Sequence, residues 1–127
     1  SLAAPDGETA LLITGDMSFG YDLAGIASQY NSAKLKIIVM CNGGGNIFRF
    51  LNGTSSLPEL EKYFEVARPD RTQAIAAAFE FEYFEACDET SLRKELPCFY
   101  DCPRQAILAV RTPAQTNAEI LRRYFRM

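Results

Sequence analysis

Residues 35–46 read LKIIVMCNGGGN. An apolar run ends in three consecutive glycines, opened by Asn42 and closed by Asn46. Seven residues rich in Ile, Val and Met, followed by turn formers, have the length and composition of a β-strand buried on both faces. The stretch after the strand has almost no side chains. Glycine takes positive φ at little cost and lets backbone amides and carbonyls approach a ligand closely. The end of this strand is therefore a place where the main chain can act as a ligand, with Asn42 adding an amide oxygen.

Upstream, TALLIT (9–14) is a second short apolar run, expected as another strand buried on both faces, and GDMS follows it. Gly15 is expected to allow a tight turn and Asp16 to set a carboxylate at the sheet edge. The amides of Met17 and Ser18 start the next helix, where free N–H groups and the dipole favour an anion. The pattern predicts that helix from about Phe19 to Tyr30, with Ser18 as N-cap and Leu23, Ile26, Ala27 and Tyr30 toward the sheet. Asp16 and Asn42 are 26 positions apart (42 − 16), room for one helix and one returning strand. Both then emerge at the same edge of a parallel sheet, where ligands of open α/β folds bind. Alone, a Gly-Asp or an Asn-Gly after a strand is usually a turn. Paired, they offer a carboxylate, an amide oxygen and a backbone carbonyl. These are three hard-oxygen ligands for magnesium, with diphosphate oxygens and a water completing the shell.

Downstream, 47–69 is the least regular part, with NGTSSLP as a turn-rich connection and LPELEKYF as a short helix. RPDRTQAIAAAFEF predicts a helix with Asp70 or Thr72 near its start and Ile75, Ala76 and Phe79 inward. EYFEAC (82–87) and QAILAVRT (105–112) predict a third and a fourth strand. Between them DETSLRKEL starts a helix with Thr90 as N-cap, which Pro97 is expected to kink or end. AQTNAEILRRYFRM is a closing helix with Ile120, Leu121, Tyr124 and Phe125 as its apolar face. Strands alternating with helices point to an α/β fold, a mainly parallel sheet with helices on both faces and right-handed crossovers.

The chain has 127 residues, 48% hydrophobic and 23% charged, the composition of one globular domain. Its net charge of −3 gives no nucleic-acid footprint, and RRYFR (122–126) is expected as a solvated last helical turn. No stretch is long and apolar enough to span a membrane. The opening SLAAPDGETALL reaches a strand almost at once, so an earlier part is expected to be missing. There are four cysteines and no histidine. Cys98 and Cys102 lack paired zinc spacing, so reduced thiols in the cytoplasm are expected. Without histidine this chain supplies no Ser-His-Asp or Cys-His group.

GDMSFGYDLAGI (15–26) and IIVMCNGGGNIFRFL (37–51) together resemble the cofactor motif of thiamine diphosphate enzymes, which begins with Gly-Asp and ends with Asn-Asn. Within that superfamily the GD-x-S-x-x-YDL opening and the N-x-GG-x-IF-x-x-L close are similar to the 2-succinyl-5-enolpyruvyl-6-hydroxy-3-cyclohexene-1-carboxylate synthases of menaquinone biosynthesis. The resemblance implies that Asp16, Asn42 and the Gly44 carbonyl bind magnesium or manganese. It implies that Gly15, Met17, Ser18, Gly43 and Gly45 hold the diphosphate, and that Ile47, Phe48 and Leu51 wall the reacting end of the cofactor and the substrate. Read without the family, Ile47, Phe48 and Leu51 are a short helix packed on the core. Cys41 stands where the family has the first asparagine, Gly43 where Asn or Asp is common, and Asn46 where Gly or Gln is common. Arg49 replaces a small polar residue and either meets a substrate carboxylate or points to solvent, the latter being preferred.

The resemblance further implies an enzyme that decarboxylates 2-oxoglutarate and adds the succinyl-semialdehyde unit to isochorismate, as a homodimer or homotetramer. The activating glutamate of such enzymes belongs to another domain. Residues 1–127 are thus expected to be the C-terminal part of a thiamine diphosphate- and Mg-binding domain, with no catalytic residue of their own and no activity alone. Two other readings are a related 2-oxoacid decarboxylase or carboligase, and a non-enzymatic α/β phosphate-binding module.

Overall fold

A computed structural model describes residues 8–27, 34–51 and 53–125. Four parallel strands form one sheet in the order β1-β2-β4-β3: β1 (Ala10–Gly15), β2 (Leu35–Cys41), β3 (Glu82–Ala86) and β4 (Ala106–Arg111). Between β1 and β2 lie α1 (Asp16–Tyr21) and α2 (Leu23–Ile26). α3 (Ile47–Phe50), a single 3-10 turn (Thr54–Ser56), a π-helical segment (Leu60–Glu65) and α4 (Thr72–Ala78) lead to β3. α5 (Glu89–Asp101) joins β3 to β4, and α6 (Ala114–Phe125) follows. The predicted α/β class, the parallel sheet and the four strands are all present.

Because a strand's side chains alternate between faces, the sheet divides its apolar residues between two cores. On one face Ile37, Val39, Ile107 and Ala109 pack with Phe19, Ala76 and Phe81, flanked by Leu23, Ile26, Ile75 and Phe79. On the other, Leu108, Ala106 and Ala86 pack with Phe99, flanked by Leu92 and Leu96 of α5. Of the inward residues predicted for α4, Ala76 is buried and Ile75 and Phe79 pack half-buried against this core, while the second residue the helix buries is Thr72. Lys36 is also buried, within the apolar run of β2. Its Nζ donates to the carbonyls of Cys102 and Arg104, 2.7 Å each, just past the end of α5. A cation there satisfies carbonyls that the helix leaves open and complements its dipole.

Several expectations are corrected. β1 is not buried on both faces: Leu11, Leu12 and Ile13 are 44%, 46% and 62% exposed, and among the described residues the strand lies at the edge of the sheet beside β2. The helix expected from about Phe19 starts three residues earlier at Asp16 and breaks at Asp22 (16 against 19). Ser18 is accordingly inside α1, with Gly15 at the cap position and no side-chain cap. Ala27 is exposed, and Tyr30 lies outside the described residues. The cap of α5 is Asp88, not Thr90: the Asp88 carboxylate accepts from the Ser91 amide at 2.7 Å while the Ser91 hydroxyl accepts from the Asp88 amide, a reciprocal capping box. Pro97 does not end α5, which runs on to Asp101. Burial of Phe99 gives its last turn tertiary support. The predicted apolar face of α6 is exposed, Ile120 at 63% and Phe125 at 69%, and the residue α6 buries is Ala118. The RRYFR cluster is not wholly solvated, since Arg122 donates to the Arg49 carbonyl at 2.7 Å and so ties α6 to the end of α3.

Candidate ligand site at the strand ends

β1 and β2 run side by side with Gly15 opposite Met40. Asp16 and Asn42 therefore leave the sheet at one edge, as their spacing requires. The Asp16 carboxylate spans the gap between them. Its Oδ2 accepts from the amides of Asn42 (3.1 Å) and Gly43 (2.8 Å), and its Oδ1 accepts from the Met17 amide (2.8 Å). A charge-assisted acceptor thus pins the loop after β2 to the start of α1. The Met17 amide is engaged by its neighbour's side chain. Ser18 lies in the first turn, where amides lack an intrahelical acceptor. Gly15 has extended backbone (φ −86°), and a Cβ there would meet nothing, so the turn does not rest on glycine's freedom.

The three glycines have different reasons. Gly43 has φ +86° and open space where a Cβ would stand, so backbone conformation alone favours glycine. At Gly44 (φ +152°) a Cβ would stand 2.5 Å from the Glu65 carbonyl oxygen, and at Gly45 2.9 Å from that of Phe64. The close approach here is by the chain's own 60–65 segment. The Gly45 amide donates to the Glu65 carbonyl (2.8 Å) and the Arg68 amide to the Gly43 carbonyl (3.3 Å). The Gly44 carbonyl accepts from the Asn46 amide (2.8 Å).

α3 carries Ile47 and Phe48 of the three residues implied as a substrate wall, and Leu51 caps its end. Ile47 and Leu51 are exposed, whereas Phe48 is half-buried against Phe64, ring centroids 5.4 Å apart. Arg49 does not point to solvent: its guanidinium is paired with Glu61 and with the buried Glu65. That pair locks α3 onto the segment that presses on the glycines.

Beside the strand ends lies a cavity of about 350 Å³ whose lining joins Asp16, Met17, Gly43 and Gly44 to Arg68, Asp70 and Arg71, with the apolar Phe19, Leu23 and Ile75. Sequence reasoning gave 68–72 only a helix start. The signal it lacked is the crossover that returns this segment to the carboxyl edge. Arg68 lies over the Tyr21 ring at 5.6 Å. Asp70 accepts from the Thr72 hydroxyl (2.6 Å) and amide (2.8 Å) and pairs with Arg111, which also pairs with Glu85. Burial acts to raise the Asp70 pKa, but the bonds from Thr72 and Arg111 outweigh it and hold the carboxyl below its ordinary value. Cys41 touches Thr72 (Sγ to Oγ1 3.6 Å), and burial pushes its thiol up to about 11. It is a neutral packing residue rather than a thiolate ligand.

Among the described residues no cluster of three or more His, Cys, Asp or Glu side chains could hold a metal. A cation held by the residues at these strand ends would use mixed oxygen donors. The donor set fits one: Asp16 brings a carboxylate, and the buried Oδ1 of Asn42 accepts no hydrogen bond. The Asn46 Oδ1 is likewise buried without a donor, while the two other such atoms, Arg49 Nε and Glu65 Oε1, face each other in their ion pair.

No family model matches the chain. It is 42% identical over 118 residues to the 2-succinyl-5-enolpyruvyl-6-hydroxy-3-cyclohexene-1-carboxylate synthase of Porphyromonas gingivalis, covering 92% of this chain and 20% of that protein. It is 34% identical over 119 residues to the same-named synthase of Christiangramia forsetii, covering 93% and 21%. With that of Flavobacterium johnsoniae it shares 37% over 125 residues, covering 98% and 23%. The chain spans about a fifth of the length of the curated relatives it matches.

Proposed function

The chain is a relative of these synthases over nearly all of its own length, and from that premise we propose that it forms the C-terminal part of a thiamine diphosphate- and Mg-binding domain. The full-length enzyme would be a transferase of menaquinone biosynthesis that joins a unit from 2-oxoglutarate to isochorismate. The observation that carries this reading is the Asp16 carboxylate at the ends of two neighbouring parallel strands, beside the unpartnered Asn42 oxygen.

In this reading Asp16, Asn42 and the Gly44 carbonyl hold the divalent cation, magnesium or manganese, through hard oxygens. Ser18 at the start of α1 would offer its amide to the diphosphate, and Gly15, Met17, Gly43 and Gly45 would let the backbone approach it, although the amides of Met17 and Gly43 are donated to Asp16 and that of Gly45 to Glu65. Ile47 on α3 and Leu51 at its C-cap, both exposed, offer apolar surface to the reacting end, and the Arg49–Glu65 pair fixes that helix. Phe48 serves the wall by packing on Phe64 behind it. When bound, thiamine diphosphate supplies the electron sink for loss of CO2 from 2-oxoglutarate and for transfer of the remaining unit. No group of this chain is assigned the proton transfers, so the 127 residues alone are expected to be inactive. The working enzyme is expected to be a cytoplasmic homodimer or homotetramer. No helix among the described residues is long and apolar enough to cross a membrane.

The test is product analysis of the full-length protein with 2-oxoglutarate, with and without isochorismate. Formation of the joined product only when both substrates, the cofactor and Mg are present is the expected result. Consumption of 2-oxoglutarate that ignores isochorismate would replace this reading with a simple decarboxylase. Turnover by the 127-residue chain by itself would refute the assignment of an incomplete site.

A further inference from the structure

Asn46 belongs to none of the groups assigned so far. Its backbone amide donates to the Gly44 carbonyl at 2.8 Å, and its Nδ2 donates to the Asn42 carbonyl at 3.3 Å. The second bond fixes the side-chain orientation: turning the amide over would set two oxygens against each other. With Nδ2 committed, Oδ1 is left buried and without a donor. Such an atom calls for an explanation, and a bound ion or water is the usual one. Here it is one of two. Asn42 Oδ1 is orphaned on the same loop, and the two residues are joined by the Nδ2 bond. The loop is held against the Asp16 carboxylate by the amides of Asn42 and Gly43.

Resting on the metal-site reading above, we propose that Asn46 is a further binding residue of that site, its Oδ1 accepting a hydrogen bond from a water on the bound divalent cation. Three protein oxygens and the diphosphate oxygens leave an octahedral cation room for a water, and that water brings two donors. The inner positions are already provided for by Asp16, Asn42 and Gly44. A neutral carboxamide oxygen whose nitrogen is spent on the neighbouring ligand's backbone is suited to orient such a water. Asn46 is thus a positioning residue with two separable jobs: Nδ2 braces Asn42, and Oδ1 serves the cation.

The experiment measures Mn2+ affinity of the full-length protein in the presence of inorganic pyrophosphate, by calorimetry and by the electron paramagnetic resonance signal of bound Mn2+. The variants are N46A, N46D and D16A. N46A loses both jobs and is expected to weaken Mn2+ binding about tenfold, the lower end of what outer partners of metal ligands contribute. N46D loses the donor but keeps an oxygen, so it is expected to bind Mn2+ at least as tightly as the parent. If N46D is as weak as N46A, Asn46 only braces the loop and the proposal is overturned. If N46A binds like the parent while D16A does not, the proposal is overturned and the metal site stands. If the parent fails to bind Mn2+, or D16A leaves binding unchanged, the metal site itself falls and the proposal with it. Where N46A does not fold, N46S, which also lacks the carboxamide oxygen, takes its place, and parent-like Mn2+ affinity of N46S overturns the proposal.

Discussion

β1 and β4 read almost alike, ALLITG against AILAVR, yet they lie in different environments. β4 sits between β2 and β3, and its Ala106, Ile107, Leu108 and Ala109 are wholly buried. Among the described residues β1 has one neighbour, and its Leu11, Leu12 and Ile13 are exposed. An apolar run encodes a strand and a demand for cover, but not what supplies the cover. Within the described residues the β4 side of the sheet is closed by α5, while the β1 side keeps its apolar surface open, as does α6 at Ile120, Tyr124 and Phe125.

The sharpest way to break this contrast is stability mutagenesis. Phe99→Ala, at the closed face, is expected to cost about 3–5 kcal/mol by leaving a cavity among Leu108, Ala86 and Leu92. Leu12→Ala, on the open strand, is expected to cost only about 0.5 kcal/mol. Urea unfolding of the 127-residue chain reads both. Comparable losses would mean that β1 is covered in solution, by self-association for example.

A second pair sets the glycines against each other. Gly44→Ala meets both an unfavourable φ and the Glu65 carbonyl, and is expected to cost about 1–3 kcal/mol from overpacking plus backbone strain. Gly43→Ala has strain alone, about 1 kcal/mol. Equal costs would show that the 60–65 segment does not press on the loop. Between these in size, Lys36→Met is expected to cost about 2 kcal/mol by stripping two carbonyls beyond α5 of a charged donor.

The smallest expected effect is one of pH. Asp70 has its pKa lowered in the folded protein, so its contribution is present at neutral pH and is lost as pH falls through a value below the ordinary 3.8. Asp70→Asn should therefore be less stable than the parent at neutral pH, with a shallower acid limb in the unfolding midpoint. Parallel acid limbs would mean that the bonds from Thr72 and Arg111 do not hold in solution.

How much of this was legible in the sequence follows from what each signal encodes. The apolar runs at 9–14, 35–41, 82–87 and 105–112 gave the strands, and the spacing of Asp16 and Asn42 gave their common edge. Local chemistry that competes at close range was harder. Asp88 capped α5 in place of Thr90 because the Ser91 hydroxyl could reciprocate three residues on. Pro97 was tolerated beside the buried Phe99. Long-range placement was not legible at all: nothing in FRFLNG announces that Arg49 meets Glu61 and Glu65, and nothing in RPDR announces that Arg68 and Arg71 return to the Asp16 cavity. The glycines of CNGGGN were legible as a close approach, but not as an approach by residues 64 and 65.

The central claim is that the ends of β1 and β2 make a divalent-cation site. Its most direct test is Mn2+ titration of the full-length protein with pyrophosphate present, comparing the parent with Asp16→Asn. That change removes the charge while keeping the side-chain shape. The account predicts saturable binding by the parent and a loss of at least about tenfold in Asp16→Asn. Equal Mn2+ affinity in the two proteins, both folded, would contradict it.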